Sequence, residues 1–475
     1  MVTRRTFLQS ASAVVAAAVT HPLIDSVSAA DRPNVLFIPM DDLNDWIGCL
    51  GGHPDAKTPN IDRLAAKGVL FTHAYCAAPV CNPSRTAIMT GLRPSSTGVY
   101  YNSQPWRPVM PDAVTLQQYF HANGYRTMGG GKIYHGGFEE PENWDEYFKR
   151  PADPEPPKLP MNDIPGNESH FDWGPLQASD EDMGDWKVVD WAISKLQEKH
   201  ESPFFLAAGM IRPHLPWYVP QKYVDMFPAD KVTIPTIKDD DLSDVPAMGR
   251  EFARTADHRS VIESDNWGKA VSCYLASIAF ADACVGRLVD ALEKSPHADN
   301  TIIVLWGDHG WHLGEKTHWR KFALWEEATR NPLIIAAPGI AKAGGRCDRP
   351  VSLLDLYPTL VDACGLPPKD SLEGQSIVPL LRDPAAYWQR PAVTTYGQNN
   401  HAVRNERWRY IRYADGGEEL YDHSNDPLEW TNLAGRVELT DLKKEMAKWM
   451  PSVNVPNAPT AKERQAATAP DRGKP

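Results

Sequence analysis

The stretch APVCNPSRTAIMTG (78–91) places one cysteine, Cys81, two residues before Pro83 and four before Arg85. A helix that begins just after Pro83 would end at Gly91, because glycine accepts the left-handed conformation that follows many helix C-termini. A nucleophile at a helix N-terminus meets free backbone N–H groups and the positive end of the helix dipole. Arg85 adds a fixed positive charge, so the spacing predicts a reactive thiol beside an anion-binding site.

Acidic residues end two of the apolar runs that are typical of strands. The run PNVLFIPM is followed by Asp41 and Asp42. The run IIVLWG is followed by Asp308 and His309. Ligands of an open parallel sheet bind beyond the carboxyl ends of its strands, and clustered carboxylates need a cation to coexist. Oxygen ligands favour a hard ion such as Ca²⁺ or Mg²⁺, whereas the imidazole of His309 suits a transition metal better.

Strand-like apolar runs alternate with helical segments through most of the chain. The helical segments are 58–68, 115–124, 185–199, 268–294 and 352–365, and the strand-like runs are 33–40, 125–129, 203–210, 301–310 and 332–339. Most of these runs are continuous rather than alternating, which indicates strands buried on both faces. We therefore predict an α/β fold in which helices flank a large, mostly parallel sheet.

The pattern changes near residue 385, where short aromatic segments alternate polar and apolar residues. This pattern predicts a smaller antiparallel-sheet subdomain over 385–454. It follows a catalytic domain over 31–384. The Pro- and Ala-rich tail, 455–475, is expected to be disordered.

The N-terminal segment, 1–30, has the features of a signal peptide. Arg4 and Arg5 precede an Ala/Val-rich stretch that ends in small residues, which resembles a twin-arginine signal. A Sec signal or a membrane anchor is the alternative. We expect export to the periplasm or the medium, and no other apolar run is long enough to span a membrane.

Composition excludes several classes of function. The chain has 475 residues, a net charge of −12 and an isoelectric point near 5.7, so a basic face for nucleic acid is not expected. Its seven cysteines include no Cys-x-x-Cys pair, which argues against a zinc ribbon or a thioredoxin-type redox motif. An odd number of cysteines leaves one thiol over, and Cys81 is the candidate for special chemistry.

The segment TPNIDRLAAKGVLFTHAYCAAPVCNPSRTAIMTGLRP (58–94) resembles the signature of the type I sulfatases of the alkaline-phosphatase-like superfamily. The resemblance implies that a formylglycine-generating enzyme oxidises Cys81 to formylglycine. In that family, one hydroxyl of the aldehyde hydrate attacks the sulfur of a sulfate ester. The other then expels sulfate and regenerates the aldehyde, which is covalent catalysis assisted by a metal ion.

The same resemblance assigns the remaining site residues. It implies one Ca²⁺ ion per chain, held by Asp41, Asp42, Cys81, Asp308 and His309. It implies a catalytic set of Cys81, Arg85, Lys132, His135, His214 and Lys321. Within that set, Arg85 would hold the hydrate, Lys132 and His135 would contact hydrate and sulfate, and His214 and Lys321 would neutralise sulfate and assist the leaving oxygen.

Motifs near Lys132, His214 and Lys321 are similar to those of the iduronate-2-sulfatase and choline-sulfatase branch. The implied substrate is a sulfated glycan, with a 2-O-sulfated uronate as the best single expectation. Ile211 and Arg212 stand where His-Lys is more frequent, so a charge expected in the sugar pocket has changed; arginine offers a bidentate fork that lysine lacks.

Three alternatives stay open at this point. The substrate could be choline sulfate or a small aryl sulfate. The chain could instead be a phosphomonoesterase or phosphonate hydrolase, although such sites usually hold two metals and only one ligand set is visible. The third alternative is an inert glycan-binding protein. The presence of Cys81, Arg85 and all four candidate ligands (three aspartates and a histidine) argues against it.

Overall fold

The computed structural model describes residues 32–166 and 170–468. The predicted signal segment, 1–30, lies outside these residues. The strands are β1 Asn34–Asp41, β2 Val69–Tyr75, β3 Arg126–Gly131, β4 Glu146–Phe148, β5 Trp173–Leu176, β6 Phe204–Pro213, β7 Trp217–Pro220, β8 Thr301–Gly307, β9 His312–Leu313, β10 Trp319–Arg320, β11 Arg330–Ala336, β12 Gly345–Cys347, β13 Val351–Ser352, β14 Ala392–Thr395, β15 His401–Arg404, β16 Trp408–Arg412 and β17 Glu418–Asp422.

The α-helices include the five helical segments expected from the sequence, each with ends within four residues of those expected. They are α1 Pro59–Lys67, α2 Cys81–Thr90, α3 Pro94–Thr97, α4 Leu116–Ala122, α5 Gly184–Leu196, α6 Gln221–Val224, α7 Ala247–Phe252, α8 Thr255–Glu263, α9 Trp267–Glu293, α10 Glu326–Thr329, α11 Leu356–Ala363, α12 Val378–Arg382, α13 Thr440–Ala447 and α14 Ala461–Thr468.

A nine-stranded sheet forms the centre of the fold. Its strand order is β12-β2-β11-β8-β1-β6-β3-β4, with β13 also paired to β2. Among these described strands, β11 alone runs antiparallel to its neighbours β2 and β8. The prediction of a large, mostly parallel sheet is therefore confirmed.

Helices cover both faces of this sheet. Along β1, Leu36 and Ile38 pack in the same hydrophobic cluster as Phe280 of α9. The intervening residue Phe37 packs in a second cluster with Leu356 of α11. Because successive strand side chains point to opposite faces, β1 is buried on both sides, which explains its continuous apolar sequence.

The pairing of β1 with β8 sets the position of the acidic residues. The two strands are parallel, and Met40 lies opposite Gly307. The residues that follow, Asp41 and Asp308, therefore emerge side by side at the carboxyl edge of the sheet.

The C-terminal region forms a separate four-stranded antiparallel sheet, β14-β15-β16-β17. This confirms the smaller antiparallel-sheet subdomain. Within the described residues, no helix is both long and apolar enough to cross a membrane. All seven cysteines lie in the described part of the chain and are free thiols.

The tail differs from its expected disorder as far as residue 468. The backbone N–H of Val455 donates to Ser95 O at 2.9 Å, and that of Ala458 donates to Gly98 O at 2.8 Å. Tyr100 Oη donates to Val455 O at 2.9 Å. Backbone hydrogen bonds hold this segment, and they do not depend on the side-chain composition that suggested disorder. Residues 469–475 lie outside the described part of the chain.

Candidate active site

Cys81 is the first residue of α2, and its side chain is fully buried. The helix starts three residues earlier than expected because Pro83 is tolerated in the first turn of a helix. It ends as expected at Gly91, whose φ is 74°. The Cys81 Sγ atom lies 2.9 Å from Lys321 Nζ and 3.4 Å from His309 Nε2.

The backbone of the α2 N-terminus does not itself offer an anion site. The N–H of Asn82 donates to Asn102 Oδ1 at 2.9 Å, Pro83 has none, and the N–H of Ser84 donates to Val80 O at 3.0 Å. The expectation that helix N–H groups would bind the anion therefore needs correction. Positive charge at Cys81 comes from side chains carried by other elements.

The three acids converge as their strands predict. Asp41, Asp42 and Asp308 are all fully buried. The backbone N–H of Asp42 donates to Asp308 Oδ1 at 3.0 Å, which ties the ends of β1 and β8 together. Asp42 has a φ of 59°, a left-handed conformation that side chains rarely adopt outside functional sites. This bend brings the Asp42 carboxylate to Cys81, with Oδ1 lying 3.9 Å from Sγ.

Arg85 lies one turn along α2 from Cys81 and is fully buried. Its Nε donates to Asp308 Oδ2 at 2.8 Å, and its Nη2 donates to Asp41 Oδ1 at 3.2 Å. Its Nη1 donates to the carbonyl of Lys132 at 2.6 Å. In this structure the guanidinium group therefore fixes two acids and the Lys132 loop relative to the nucleophile helix.

Lys132 and His214 line the less buried side of the site. Lys132 Nζ forms an ion pair with Asp41 Oδ2, and its side chain is 12% exposed. His214 Nε2 lies 3.7 Å from Asp42 Oδ2, and its side chain is 27% exposed. His135 lies near enough to Cys81 to lower the pKa of its thiol. These three residues are brought together with Cys81 as the sequence predicts.

Lys321 comes from a strained loop after β10. Its Nζ also donates to Asp42 Oδ1 at 2.7 Å, so it bridges the acid and the thiol. Its neighbours Arg320 and Phe322 have φ values of 73° and 79°. Non-glycine residues in this conformation persist where surrounding contacts impose it.

His318 is one of those contacts, although its sequence context left it unassigned. It is fully buried. Its Nδ1 accepts from the backbone N–H of Arg254 at 2.7 Å, and its Nε2 donates to the carbonyl of Lys321 at 2.8 Å. These partners fix the neutral Nε2–H tautomer, because a backbone N–H can only donate and a carbonyl can only accept. His318 is therefore a positioning residue for Lys321.

Arg212 does not point into a sugar pocket, which corrects the expectation for this position. It is 3% exposed. Its guanidinium pairs with Asp153 at 2.7 Å and donates to the carbonyls of Tyr218 and His214 at 3.1 Å. Asp185 accepts the backbone N–H of Arg212 at 2.8 Å. Arg212 thus fixes the loop that carries His214, and its change from lysine says nothing direct about the sugar.

The charges of the site are mutually supported. Burial alone would raise the pKa of the Cys81 thiol, but Lys321 and Lys132 hold it well below its usual range. Burial also opposes ionisation of Asp41, yet Lys132 keeps the pKa of this carboxyl below its usual value. Burial would lower the pKa of Lys321, but Asp42 raises it. At Asp308, burial outweighs the effect of Arg85 and raises the pKa of the carboxyl to about 7. The site therefore keeps Cys81, Asp41 and Lys321 charged without exposing them.

Four groups lie close enough to hold one metal ion. Ligand atoms of Asp41, Asp42, Cys81 and His309 all fall within 4.8 Å of one another. Asp42 Oδ2 is buried and has no hydrogen-bond partner among the described residues. A buried carboxylate oxygen without a partner is costly, so the donor set fits a cation. Asp308 lies beside this group, with both oxygens already accepting hydrogen bonds.

Some site residues carry no sequence signal. Asn102 accepts the backbone N–H of Asn82. Asp185 accepts the backbone N–H of Arg212 and so holds the loop of His214. Both act on the backbone of segments far away in the chain. His318 offers a weak signal, because a histidine three residues before a predicted catalytic lysine is a reasonable candidate. The others become visible only in the folded chain.

Known proteins of one family resemble this chain along most of its length. The profile described as Sulfatase matches residues 33–366, and that described as N-sulphoglucosamine sulphohydrolase, C-terminal, matches residues 314–455. A sulfatase of Formosa agariphila is 41% identical over 447 residues, covering 89% of this chain and 87% of that protein. Iduronate 2-sulfatase of Homo sapiens is 31% identical over 393 residues, covering 72% of this chain and 71% of that protein.

The fold has solved relatives as well. The crystal structure of the phosphonate monoester hydrolase of Agrobacterium radiobacter superposes with a TM-score of 0.74 at 24% identity, covering 88% of this chain and 94% of that one. At this identity the likeness shows the fold alone. The family profile spans well over half of the chain, and both relatives named above exceed 30% identity. The chain therefore belongs to the sulfatase family, with the alkaline-phosphatase-like fold, and is a sulfate ester hydrolase.

Proposed function

We propose that this protein is an exported sulfatase that removes sulfate from sulfated glycans, with a 2-O-sulfated uronate as its substrate. Its nucleophile is formylglycine made from Cys81 by a formylglycine-generating enzyme. The observation that carries the proposal is the surroundings of Cys81. The thiol is fully buried, yet it lies 2.9 Å from Lys321 Nζ and faces acids suited to a cation.

Ca²⁺ is the proposed metal ion. Asp41, Asp42, Asp308, His309 and the oxidised Cys81 side chain would hold it. Carboxylate oxygens predominate in this set, as a hard cation requires. When bound, the ion would polarise the sulfate and favour the ionised nucleophile.

The cationic side chains of the site have separate roles in the proposed reaction. Lys321 and Lys132 neutralise the sulfate, since Lys321 Nζ lies 2.9 Å from Cys81 Sγ and the positive charge of Lys132 also lowers the pKa of this thiol. His135 contacts the nucleophile and the sulfate. His214, whose side chain is 27% exposed, donates a proton to the oxygen of the departing sugar. Arg85 keeps the acids and the nucleophile helix in register.

The substrate class is supported by relatives. The resemblance to iduronate 2-sulfatase extends over 72% of this chain. Arg212 gives no direct information on the sugar, because its guanidinium is committed to Asp153. We therefore propose the uronate as the substrate class rather than a particular polymer or linkage.

Mass analysis of the tryptic peptide 68–85 tests the nucleophile. This peptide contains both Cys76 and Cys81. Protein produced together with a formylglycine-generating enzyme should give a peptide with one alkylated cysteine, Cys76, and an aldehyde at Cys81. Cys76 is buried outside the cationic cluster and serves as the internal control. Alkylation of both cysteines would contradict the proposal.

Turnover of a matched set of sulfate esters tests the substrate. The set is a 2-O-sulfated uronate disaccharide, choline sulfate and an aryl sulfate. The proposal expects the highest kcat/KM with the uronate. A preference for choline sulfate or the aryl sulfate would replace the uronate while keeping the enzyme class.

Export rests on residues outside the described part of the chain. Replacing Arg4 and Arg5 with lysines should stop export, because a twin-arginine signal depends on the pair. The protein should then accumulate in the cytosol. Unchanged export of the double variant would refute the twin-arginine assignment.

A further inference from the structure

An aromatic patch adjoins the catalytic lysine. We define it as Tyr101, Phe252, Phe322 and Tyr396. The Tyr396 ring lies 4.8 Å from Phe252, 6.1 Å from Tyr101 and 6.3 Å from Phe322, measured between centroids. Tyr101 is 40% exposed. The patch is therefore a continuous aromatic surface that is open at one end.

Two backbone contacts tie the aromatic patch to the nucleophile. Phe322 directly follows Lys321, and its N–H donates to the carbonyl of Pro79 at 3.2 Å. On the other side, the carbonyl of Tyr101 accepts from Asn82 Nδ2 at 3.0 Å. Pro79 and Asn82 flank Cys81 in the chain. The patch thus lies beside the position where the sulfate ester must bind.

A cation without an acidic partner covers this patch. Arg254 Cζ lies 4.5 Å from the Phe322 ring centroid, and Lys321 Nζ lies 5.8 Å from the same centroid. Within residues 32–166 and 170–468, no carboxylate pairs with the Arg254 guanidinium. The nearby acid, Asp257, is already bound by Arg320 at 2.7 and 3.3 Å.

The charge of Arg254 is therefore available to a ligand. Its side chain is exposed. Partial burial and the neighbouring Arg320 lower the pKa of Arg254, and Asp257 offsets this only in part. Its backbone N–H holds His318, as described above, so the main chain of this residue is fixed. Arg254 therefore has a fixed backbone and a guanidinium without an acidic partner, and it lies close to Lys321.

We propose that Arg254 binds the carboxylate of the uronate whose sulfate is removed, while the aromatic patch contacts the sugar ring. This assignment rests on the proposed function and deepens it. A guanidinium matches a carboxylate with two parallel hydrogen bonds, and the apolar face of a pyranose ring packs on aromatic side chains. Lys321 would then hold the sulfate and Arg254 the second anion of the same sugar, with the Phe322 ring between them.

The test compares one disaccharide in two forms. The first is the 2-O-sulfated uronate, and the second has its uronate carboxyl reduced to a primary alcohol. Arg254→Ala should lower kcat/KM on the uronate about ten- to a hundredfold, mainly through KM, as expected for loss of charged hydrogen bonds. The loss on the reduced sugar should be several times smaller. Arg254→Lys should fall between wild type and alanine on the uronate, because it keeps the charge and loses the fork.

Arg259→Ala is the matched control. Arg259 lies on α8, five residues further along, is exposed, and forms no hydrogen bond or ion pair within the described residues. This variant should retain wild-type kcat/KM on both sugars. Equal losses on both sugars in Arg254→Ala would overturn the assignment of Arg254 alone. Failure of the wild-type enzyme to cleave the uronate, with an aryl sulfate still cleaved, would refute the substrate and this assignment with it.

Discussion

Two groups of buried charged side chains in this protein have similar compositions and different pairing. The active-site cluster contains Asp41, Asp42, Asp308, Arg85, Lys132, Lys321 and His309. The junction cluster, between the large sheet and the C-terminal sheet, contains Glu326, Glu429, Arg404, Arg409 and His423. In each, carboxylates and a histidine or cysteine lie close enough to hold a metal ion.

The junction cluster is fully paired at its acids. Glu326 accepts from Tyr75 Oη at 2.8 Å through one oxygen, and from Arg404 and Arg409 through the other. Glu429 accepts from His423 Nε2 at 3.0 Å and from the backbone N–H of Glu326 at 2.9 Å. Every carboxylate oxygen of these two residues therefore has a donor.

The active-site cluster leaves one carboxylate oxygen without a hydrogen bond, Asp42 Oδ2, with His214 Nε2 lying 3.7 Å away. It also places a thiol among its cations, at Cys81. Native proteins rarely leave buried polar atoms without partners unless function requires it. In the junction cluster, Arg409 Nε makes no hydrogen bond but lies 2.6 Å from Glu429 Oε1. The saturated acids of this cluster indicate a structural role, whereas the free oxygen of Asp42 indicates a site for a ligand. Four experiments test this contrast.

The largest effect is expected from Cys81→Ala. Turnover should fall by at least about a thousandfold, because the nucleophile is lost. The unfolding midpoint should stay close to that of wild type, since the change alters a single small side chain. Sulfate release and thermal unfolding of the same preparation measure both effects. Retained turnover would refute the role of Cys81.

Arg409→Met should give the opposite result. It leaves the buried carboxylates of Glu326 and Glu429 short of a partner, which costs about 3–5 kcal/mol for an isolated buried charge. Activity per folded molecule should be retained. Urea unfolding measures the loss. Arg407→Met is the control and should shift the midpoint much less, because the Arg407 side chain is 52% exposed in its pair with Asp422.

Ca²⁺ should stabilise the protein through the active-site cluster only. Binding to the folded state alone would add about 2.7 kcal/mol at a hundredfold excess over Kd. The Ca²⁺-dependent shift of the unfolding midpoint should be lost in Asp42→Asn. It should persist in Glu326→Gln, even though that variant starts from a lower midpoint. Loss of the shift in Glu326→Gln instead would place the ion in the junction cluster.

His318 sharpens the contrast, because it adjoins the active-site cluster and yet has both ring nitrogens paired. Burial lowers its pKa to about 3, against about 6.5 in an unfolded chain. As the pH falls below 6.5, the unfolded state binds a proton that the folded state does not. This residue therefore costs stability by up to about 1.4 kcal/mol per pH unit between pH 6 and 3.

His318→Gln should flatten that dependence, since glutamine can donate and accept without titrating. Urea midpoints of the two proteins at pH 7 and at pH 4.5 give the comparison. The variant is expected to lose less stability between the two pH values. Equal losses would show that His318 does not control acid sensitivity.

The sequence predicted the parts of the fold that depend on local pattern. Continuous apolar runs located the central strands, and the acids after two of them met because β1 and β8 are parallel neighbours. The direction of β11 was not predictable, since an apolar run reads the same in either direction. The start of α2 was missed because Pro83 suits a first turn as well as a preceding loop.

The sequence predicted which residues form the site, but it predicted fewer of the contacts that these residues make. Cys81, Lys132 and Lys321 meet as their motifs indicate. Arg212 could not be placed, because its partner Asp153 lies 59 residues away in the chain. Arg254 was missed, since an exposed arginine at a helix start has no signature until the Phe322 ring is seen beneath it.

The packing of segment 455–468 bears on when Cys81 is accessible during synthesis of the chain. The segment packs along the loop that includes Tyr100 and Tyr101, and the latter residue contacts Asn82 beside the nucleophile. A nascent chain emerges N-terminus first. Segment 455–468 is therefore synthesised hundreds of residues after Cys81. The proposed oxidation of Cys81, whose side chain is 0% exposed in the finished fold, would therefore have to take place before this segment packs.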